Sequence, residues 1–476
     1  MLFNSLQFCI FFIVVTTLYF LIPHKFRWFL LLAASCYFYM VFVPIYILIL
    51  GFTIVVDYFA GIYIEKSKGK KRKFFLTASL IANIGVLAVF KYYNFINNNI
   101  TELLHGFNWT NPIPHLSILL PVGLSFHTFQ AMSYTIEVYR GKQPAERNFG
   151  IYALYVMFYP QLVAGPIERP QNLLHQFYEK HSFDYHRVSD GLKMMLWGLF
   201  KKLVIADRLA LYVNAVYGNP EQHTGLSLLV ATIFFSFQIY CDFSAYSEIA
   251  IGAAKVMGFK LMTNFNRPYF SKNIAEFWKR WHISLSTWFK DYLYISLGGN
   301  KVSIPRWYFN LFFVFLISGL WHGANWTFII WGALNGFYLV AALITKPLTD
   351  KIGKISGLSK IKWLNEFFNI LFTFTLTSFA WIFFRANTVS DAFMVIKKIA
   401  RPEGPLFYEN ISVIVYCIFG IIFLLATEFK KEYFHDGYSL MNHKNRLVRH
   451  LAFATIILLI LVIGVLDGGQ FIYFQF

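Results

Sequence analysis

Charge is what this chain has least of. Only 14% of its residues are Asp, Glu, Lys or Arg, whereas soluble globular domains carry about a quarter. That shortage excludes an ordinary soluble domain. Cysteine is scarce too: Cys9, Cys36, Cys241 and Cys417 are the only four. Each lies inside an apolar run and no two are paired in spacing, which excludes a disulfide framework and a zinc site. The chain also lacks an internal repeat, a low-complexity tract, a Gly-rich nucleotide loop and an acidic metal-binding motif. Finally, no Lys or Arg precedes the first apolar core in "MLFNSLQFCIFFIVVTTLYFLIPHKFR"; Lys25 and Arg27 follow it. A secretory signal has the opposite polarity, so this segment is expected to be a retained helix with its N-terminus outside.

What the chain has instead is apolar length. Of 476 residues, 57% are hydrophobic and 20% aromatic. Mostly apolar runs long enough to cross a bilayer fall near 6–22, 28–43, 45–63, 74–91, 116–136, 149–165, 226–248, 363–384, 410–427 and 448–466. The run 307–344 has room for two more, and 189–209 is amphipathic, able to span or to lie in the interface. The expectation is an all-α polytopic membrane protein with roughly eleven to thirteen membrane helices. It should form one membrane-embedded unit over 1–476, contacting lipid throughout.

The formal charge of +18 would suit nucleic acid, but the basic residues cluster in loops without an aromatic-basic groove motif. "EKSKGKKRK" (65–73) carries six Lys or Arg, 255–306 carries nine, and 346–362 carries five lysines. Basic loops flanking membrane helices face the cytoplasm. This orients the first helices and places the polar loop 94–115 outside. "FYPQLVAGPIERP" (158–170) combines prolines, a glycine and a glutamate, which suits a broken or re-entrant segment buried in protein. In "EFWKRWHISLSTWFKDYLYISLGGN" (276–300), Trp278, Trp281, Leu285 and Trp288 follow helical spacing. Lys279, His282, Ser286 and Lys290 fall largely elsewhere. A basic helix with such a stripe reads as interfacial.

Polar groups within apolar runs are costly and therefore informative. "FSFQIYCDFSAYSEIAIGAAK" (235–255) places Gln238, Asp242 and Tyr246 on one helix face. The cluster is either an interhelical hydrogen-bond network or a functional site. In "FLISGLWHGANWTFIIWG" (315–332), helical spacing puts Ser318, His322 and Asn325 on one face. Gly319 and Gly323 form a small-xxx-small pair that admits a close neighbour. Basic flanks on both sides of 307–344 imply an even number of crossings, with His322 near the apex or midpoint of the pair, deep in the membrane. A buried neutral histidine there is either a packing residue or a general base.

Taken together, "PVGLSFHTFQAMSY", "QLVAGPIERP", "YCDFSAYSEIAIG", "NFNRPYFSKNIAEFWKRWHISLSTWFKDYLYISLGGN" and "LWHGANWTFIIWG" resemble the membrane-bound O-acyltransferase family. The similarity covers roughly 120–340 and lies with the bacterial branch that O-acetylates cell-envelope polysaccharides. It implies an active site at His322 and His282, the first as base and the second orienting the donor or the transfer path. It implies acetyl-CoA as cytoplasmic acyl donor with no permanently bound cofactor. The acceptor would be an alginate-like or other extracytoplasmic polysaccharide, reached directly or through a periplasmic or extracellular acetyltransferase partner. The setting would be a bacterial cytoplasmic (inner) membrane. Ser318, Trp321, Asn325, Asp242, Trp278, Lys279 and Arg280 are the accompanying candidates for the substrate and donor path. Cationic side chains of 255–306 would hold donor phosphates. Two alternatives remain: D-alanyl transfer to teichoic acid by the related branch, and a non-enzymatic exporter of a glycan or acyl carrier.

Overall fold

The computed structural model describes the whole chain except residues 118–120, 164, 356–359, 435–439, 467–470 and 473–476. Parts of the runs 116–136 and 346–362, and one position of 158–170, therefore lie outside the described residues. Most of the rest is helical. The helices are α1 (Leu6–Leu21), α2 (His24–Met40), α3 (Ile47–Lys66), α4 (Gly69–Leu87), α5 (Tyr93–His105), α6 (Leu124–Tyr139), α7 (Phe149–Met157), α8 (Tyr159–Leu162), α9 (Pro170–Leu173) and α10 (Tyr185–Phe200). They continue as α11 (Asp207–Gly218), α12 (Gly225–Met257), α13 (Ile274–Arg280), α14 (Ile283–Phe289), α15 (Ile304–His322), α16 (Trp326–Ile355), α17 (Lys362–Arg385), α18 (Val389–Ile399), α19 (Ile411–Tyr433) and α20 (Arg446–Ile463).

Among the described residues, eight helical stretches are long and apolar enough to cross a membrane. A helix suits that medium because it satisfies its own backbone polar groups. Where termini leave amides over, side chains take them: Ser5 accepts from Phe8, Asn148 from Ile151, and Thr388 and Asp391 form a reciprocal cap. Apolar side chains cover the outside as well as the core, and polar groups are found within. Ile13, Leu458, Leu461 and Val462 are exposed, while polar groups such as Asp57 and Thr135 are buried.

Two compact units are formed. The first holds 1–196 and 246–262. In it α3, α4 and α6 pack together, and α2 packs on α7. Its polar core is Asp57, whose carboxylate accepts from Ser79 Oγ at 2.6 Å and Asn83 Nδ2 at 2.9 Å. The segment 158–170 is broken as expected. The nine-residue α7 stops at Phe158, the single turn α8 follows, and Arg169 is extended before α9. The 94–115 stretch corrects the sequence reading in part, since its first half is helix α5 rather than loop.

The second unit holds 197–245 and 263–476. Its centre is the hairpin of α15 and α16, which pack along each other and against α13 and α17. A side chain at Gly319 would start 2.3 Å from the Phe328 carbonyl oxygen, and one at Gly332 2.4 Å from that of Phe315. Glycine at both positions lets the helix backbones touch. This hairpin positions the candidate site.

Candidate active site

The 276–300 stretch is not one helix. It breaks at Trp281–His282 into α13 and α14, with His282 in the left-handed region at φ 43°. A non-glycine residue there costs on the order of 1–3 kcal/mol and persists only where its surroundings impose it. Here a strand-like pairing imposes it. The Asn266 amide donates to the Arg280 carbonyl and the Ile283 amide to the Asn264 carbonyl, both at 2.9 Å. Asn264 Oδ1 then accepts from the Ser284 amide at 3.2 Å and the Ser284 hydroxyl at 2.9 Å. The same oxygen lies 3.1 Å from His282 Nδ1. An amide oxygen only accepts, so His282 carries its proton on Nδ1 and its lone pair on Nε2. The ring is 0% exposed and stands edge-on to Phe243, centroids 4.6 Å apart. Burial pushes its pKa down to about 3, so the imidazole is neutral at physiological pH.

His322 is the last residue of α15, and Gly323 after it is extended. The ring is 4% exposed and boxed by aromatic side chains. Trp331 meets it edge-on at 4.9 Å, Trp321 at 4.9 Å and Phe384 at 5.5 Å. Trp331 in turn stacks on Trp381 at 5.6 Å. Trp321 also lies 6.3 Å from the His282 ring, so one indole contacts both histidines. At about 1.5 Å per residue, His322 stands roughly 27 Å along α15 from Ile304. It occupies the apex of the hairpin.

The other candidates separate into those near this pair and those elsewhere. Ser318 is buried one turn before His322. Asn325 is corrected: α15 ends at His322, so no helix carries both onto one face. Instead Asn325 caps α16, accepting from the Thr327 amide, and its Nδ2 donates to the Asn387 carbonyl at 3.1 Å. The same termination takes Gly323 out of the helix; a side chain there would meet the Phe328 ring. The tryptophan stripe is corrected as well, since it is interior rather than interfacial. Trp278 packs on Phe315 at 5.0 Å and Trp331 at 5.7 Å, and Trp281 on Trp381 at 5.1 Å.

Lys279 and Lys290 are exposed. Arg280 is already neutralised, donating to Glu276 at 2.6 Å and Glu432 at 2.9 Å. Arg267 donates to the other Glu432 oxygen at 2.6 Å. Asp242 lies in a buried ion cluster: Lys202 Nζ is 2.7 Å from its carboxylate and 2.8 Å from that of Asp207. Its second oxygen accepts from the Ile472 amide at 2.7 Å. Tyr246, further along α12, belongs to the first unit, where it donates to Asn4.

Sequence reasoning passed over Asn264, Trp331, Phe384, Lys202 and Glu432. Lys202 carried a visible signal, a charge inside the apolar run "LWGLFKKLVIA". Asn264 stands in the quoted "NFNRPYF", yet nothing in its spacing links it to His282.

Two buried histidines thus meet one indole inside a helical bundle. The profile of the membrane-bound O-acyltransferase family matches residues 146–385, and the chain belongs to that family; it is an O-acyltransferase. It is 39% identical over 396 residues to the probable alginate O-acetylase AlgI of Pseudomonas aeruginosa, covering 82% of this chain and 73% of that one. It is 35% identical to the peptidoglycan O-acetyltransferase of Helicobacter pylori, covering 79% and 74%. A teichoic acid D-alanyltransferase of Streptococcus thermophilus is 29% identical, covering 56% and 69%.

Proposed function

We propose that the chain moves an acetyl group from acetyl-CoA to a hydroxyl for O-acetylation of an extracytoplasmic polysaccharide, directly or through a partner acetyltransferase. His322 is the general base. It takes the hydroxyl proton as that oxygen attacks the thioester carbonyl carbon. The new C–O bond forms, the C–S bond breaks, and the proton passes from His322 to the departing sulfur, leaving the CoA thiol. His282, with its Nε2 lone pair fixed by Asn264, orients the donor or the transfer path beside Trp321. The observation that carries this reading is the shared contact of His282 and His322 with the Trp321 indole. The alginate O-acetylase and peptidoglycan O-acetyltransferase relatives support acetyl over D-alanyl as the group moved, since their identities are higher and their coverage of this chain larger. The protein would sit in the bacterial cytoplasmic membrane with its N-terminus outside and the basic stretches 65–73, 255–306 and 346–362 inside.

The test is polymer acetylation measured beside the amount of folded protein for His322→Ala, His322→Asn and His322→Gln. All three should lose at least ~10²-fold in transfer, the lower range for a lost general acid–base, while remaining folded. An amide can accept a hydrogen bond but cannot carry the proton at neutral pH. Substantial acetylation by folded His322→Gln would sink the assignment.

A further inference from the structure

Donor phosphates need cations that are not already spent on carboxylates, and in 255–306 the arginines on either side of His282's loop are spent. Arg267 and Arg280 pair with Glu432, and Lys272 pairs with Glu366 at 2.7 Å. The first unit offers a different place. A cleft of about 620 Å³ opens between the 171–187 stretch and residues 258–262, within the size range of small-ligand sites. Its walls carry several polar and cationic side chains. They include Arg187, Lys260, His175, His181 and Gln176, with Gly258 and Met262 as the non-polar exceptions.

The cleft is built rather than incidental. The Gln176 carboxamide clamps its two sides, donating to the Lys260 carbonyl at 3.0 Å and accepting from the Lys260 amide at 2.8 Å. Gly258 has φ +109°, and a side chain there would start 2.6 Å from the His181 ring. Only glycine lets that ring lie against the backbone and keeps the wall open. His181 is held from behind by Arg27, whose guanidinium donates to its carbonyl. Among the described residues no carboxylate lies within ion-pair distance of Arg187 or Lys260; Arg187 Nη2 donates to the Ser182 carbonyl, while its Nε is buried without a hydrogen-bond acceptor. The one acid on the wall, Glu179, is engaged with His175 at 3.6 Å. Arg187 and Lys260 outnumber that acid, and the guanidinium nitrogens of Arg187 not bound to Ser182 are suited to phosphate oxygens.

We infer that this cleft binds the nucleotide phosphates of the CoA thioester donor. The inference rests on the donor reading above. The phosphates would be anchored by Arg187 and Lys260.

The experiment uses the full chain in nanodiscs of neutral lipid and measures equilibrium binding of radiolabelled acetyl-CoA. In the wild type, 3′,5′-ADP should compete and pantetheine should compete poorly. Lys260→Glu, a change at an exposed position, should raise Kd about tenfold, equivalent to about 1.4 kcal/mol. Arg187→Gln should do the same, whereas Glu179→Gln should lower Kd. The wild-type affinity should fall with salt, since screening acts over about 10 Å at 0.1 M. Unchanged Kd in folded Lys260→Glu and Arg187→Gln, with acetyl-CoA still bound, overturns the site but not the donor. A wild type that binds no acetyl-CoA overturns the donor reading and the site with it. Competition by anionic-lipid discs in place of 3′,5′-ADP would assign the cleft to a lipid headgroup and overturn the proposal.

Discussion

Asn264 Oδ1 lies 3.1 Å from His282 Nδ1, and the same oxygen receives both the amide and the hydroxyl of Ser284. One side chain therefore fixes a tautomer and a ring orientation beside the left-handed backbone. Replacing Asn264 with Ala strands three donors in a buried place, each costing about 1–3 kcal/mol. Asn264→Ala should lower thermal stability by several degrees and acetyl transfer by about 10²-fold, the loss expected from a catalytic group misplaced by about 1 Å. Asn264→Asp keeps the acceptor but adds a negative charge, which favours imidazolium. It should recover stability better than Ala and shift the pH profile of transfer. An Asp variant with wild-type pH dependence would argue that His282 is not coupled to the reaction.

Protonation of His282 gives a second expectation. Burial lowers its pKa from 6.5 to about 3. The unfolded chain therefore takes up a proton below about pH 6.5 that the folded protein refuses. The stabilisation from the neutral ring is complete above that pH and is lost progressively as pH falls towards 3. Between pH 7 and pH 5 the loss amounts to about 2 kcal/mol at most, at 1.36 kcal/mol per pKa unit. Thermal melts at those two pH values should differ more for the wild type than for His282→Gln, which cannot titrate. Equal differences in both proteins would contradict a buried neutral His282.

How much of this was legible beforehand depends on the kind of signal. Helix α15 and its histidine were readable, because a titratable ring inside an apolar run is costly enough to stand out. The hairpin was readable too, from basic flanks and from Gly319, although its glycine partner is Gly332 on the next helix. What failed was the register past His322. Spacing alone continued the helix to Asn325, where the extended Gly323 ends it. The tryptophan stripe failed for a related reason. Periodicity shows that Trp278, Trp281 and Trp288 share a face, but a membrane surface and a protein interior look alike to it. Asn264 was out of reach, since its contact with His282 depends on two loop segments pairing across a turn.

The Lys202 cluster separates a structural role for Asp242 from a place on the donor path. Lys202 lies within 2.8 Å of both Asp207 and Asp242 carboxylates, and all three side chains are buried. Removing only the lysine leaves two carboxylates buried together without their cation, a change worth about 3–5 kcal/mol. Lys202→Met should therefore cost much of the folded protein. Adding Asp207→Asn and Asp242→Asn should return most of it, because neutral amides carry no such penalty. If Asp242 serves the fold alone, the triple variant should acetylate polymer at close to the wild-type rate per folded molecule. A folded triple variant without transfer would return Asp242 to the reaction.

Gly319 and His322 stand three residues apart on α15, and substitutions at them should fail in different ways. A methyl at Gly319 would start 2.3 Å from the Phe328 carbonyl oxygen and 3.0 Å from Gly332, and backbone cannot yield as a flexible side chain can. Gly319→Ala should pry α15 from α16 and disturb Trp331, which forms one wall of the His322 box. Stability and transfer should fall together, and Gly319→Val should be worse in both. His322→Ala removes the proposed base and leaves the helix contact intact, so transfer should fall with little change in the melt. Plotting transfer per folded molecule against melting temperature places the two variants on different lines. A Gly319→Ala protein with normal stability and normal transfer would mean that α15 and α16 do not approach as closely as their glycines allow.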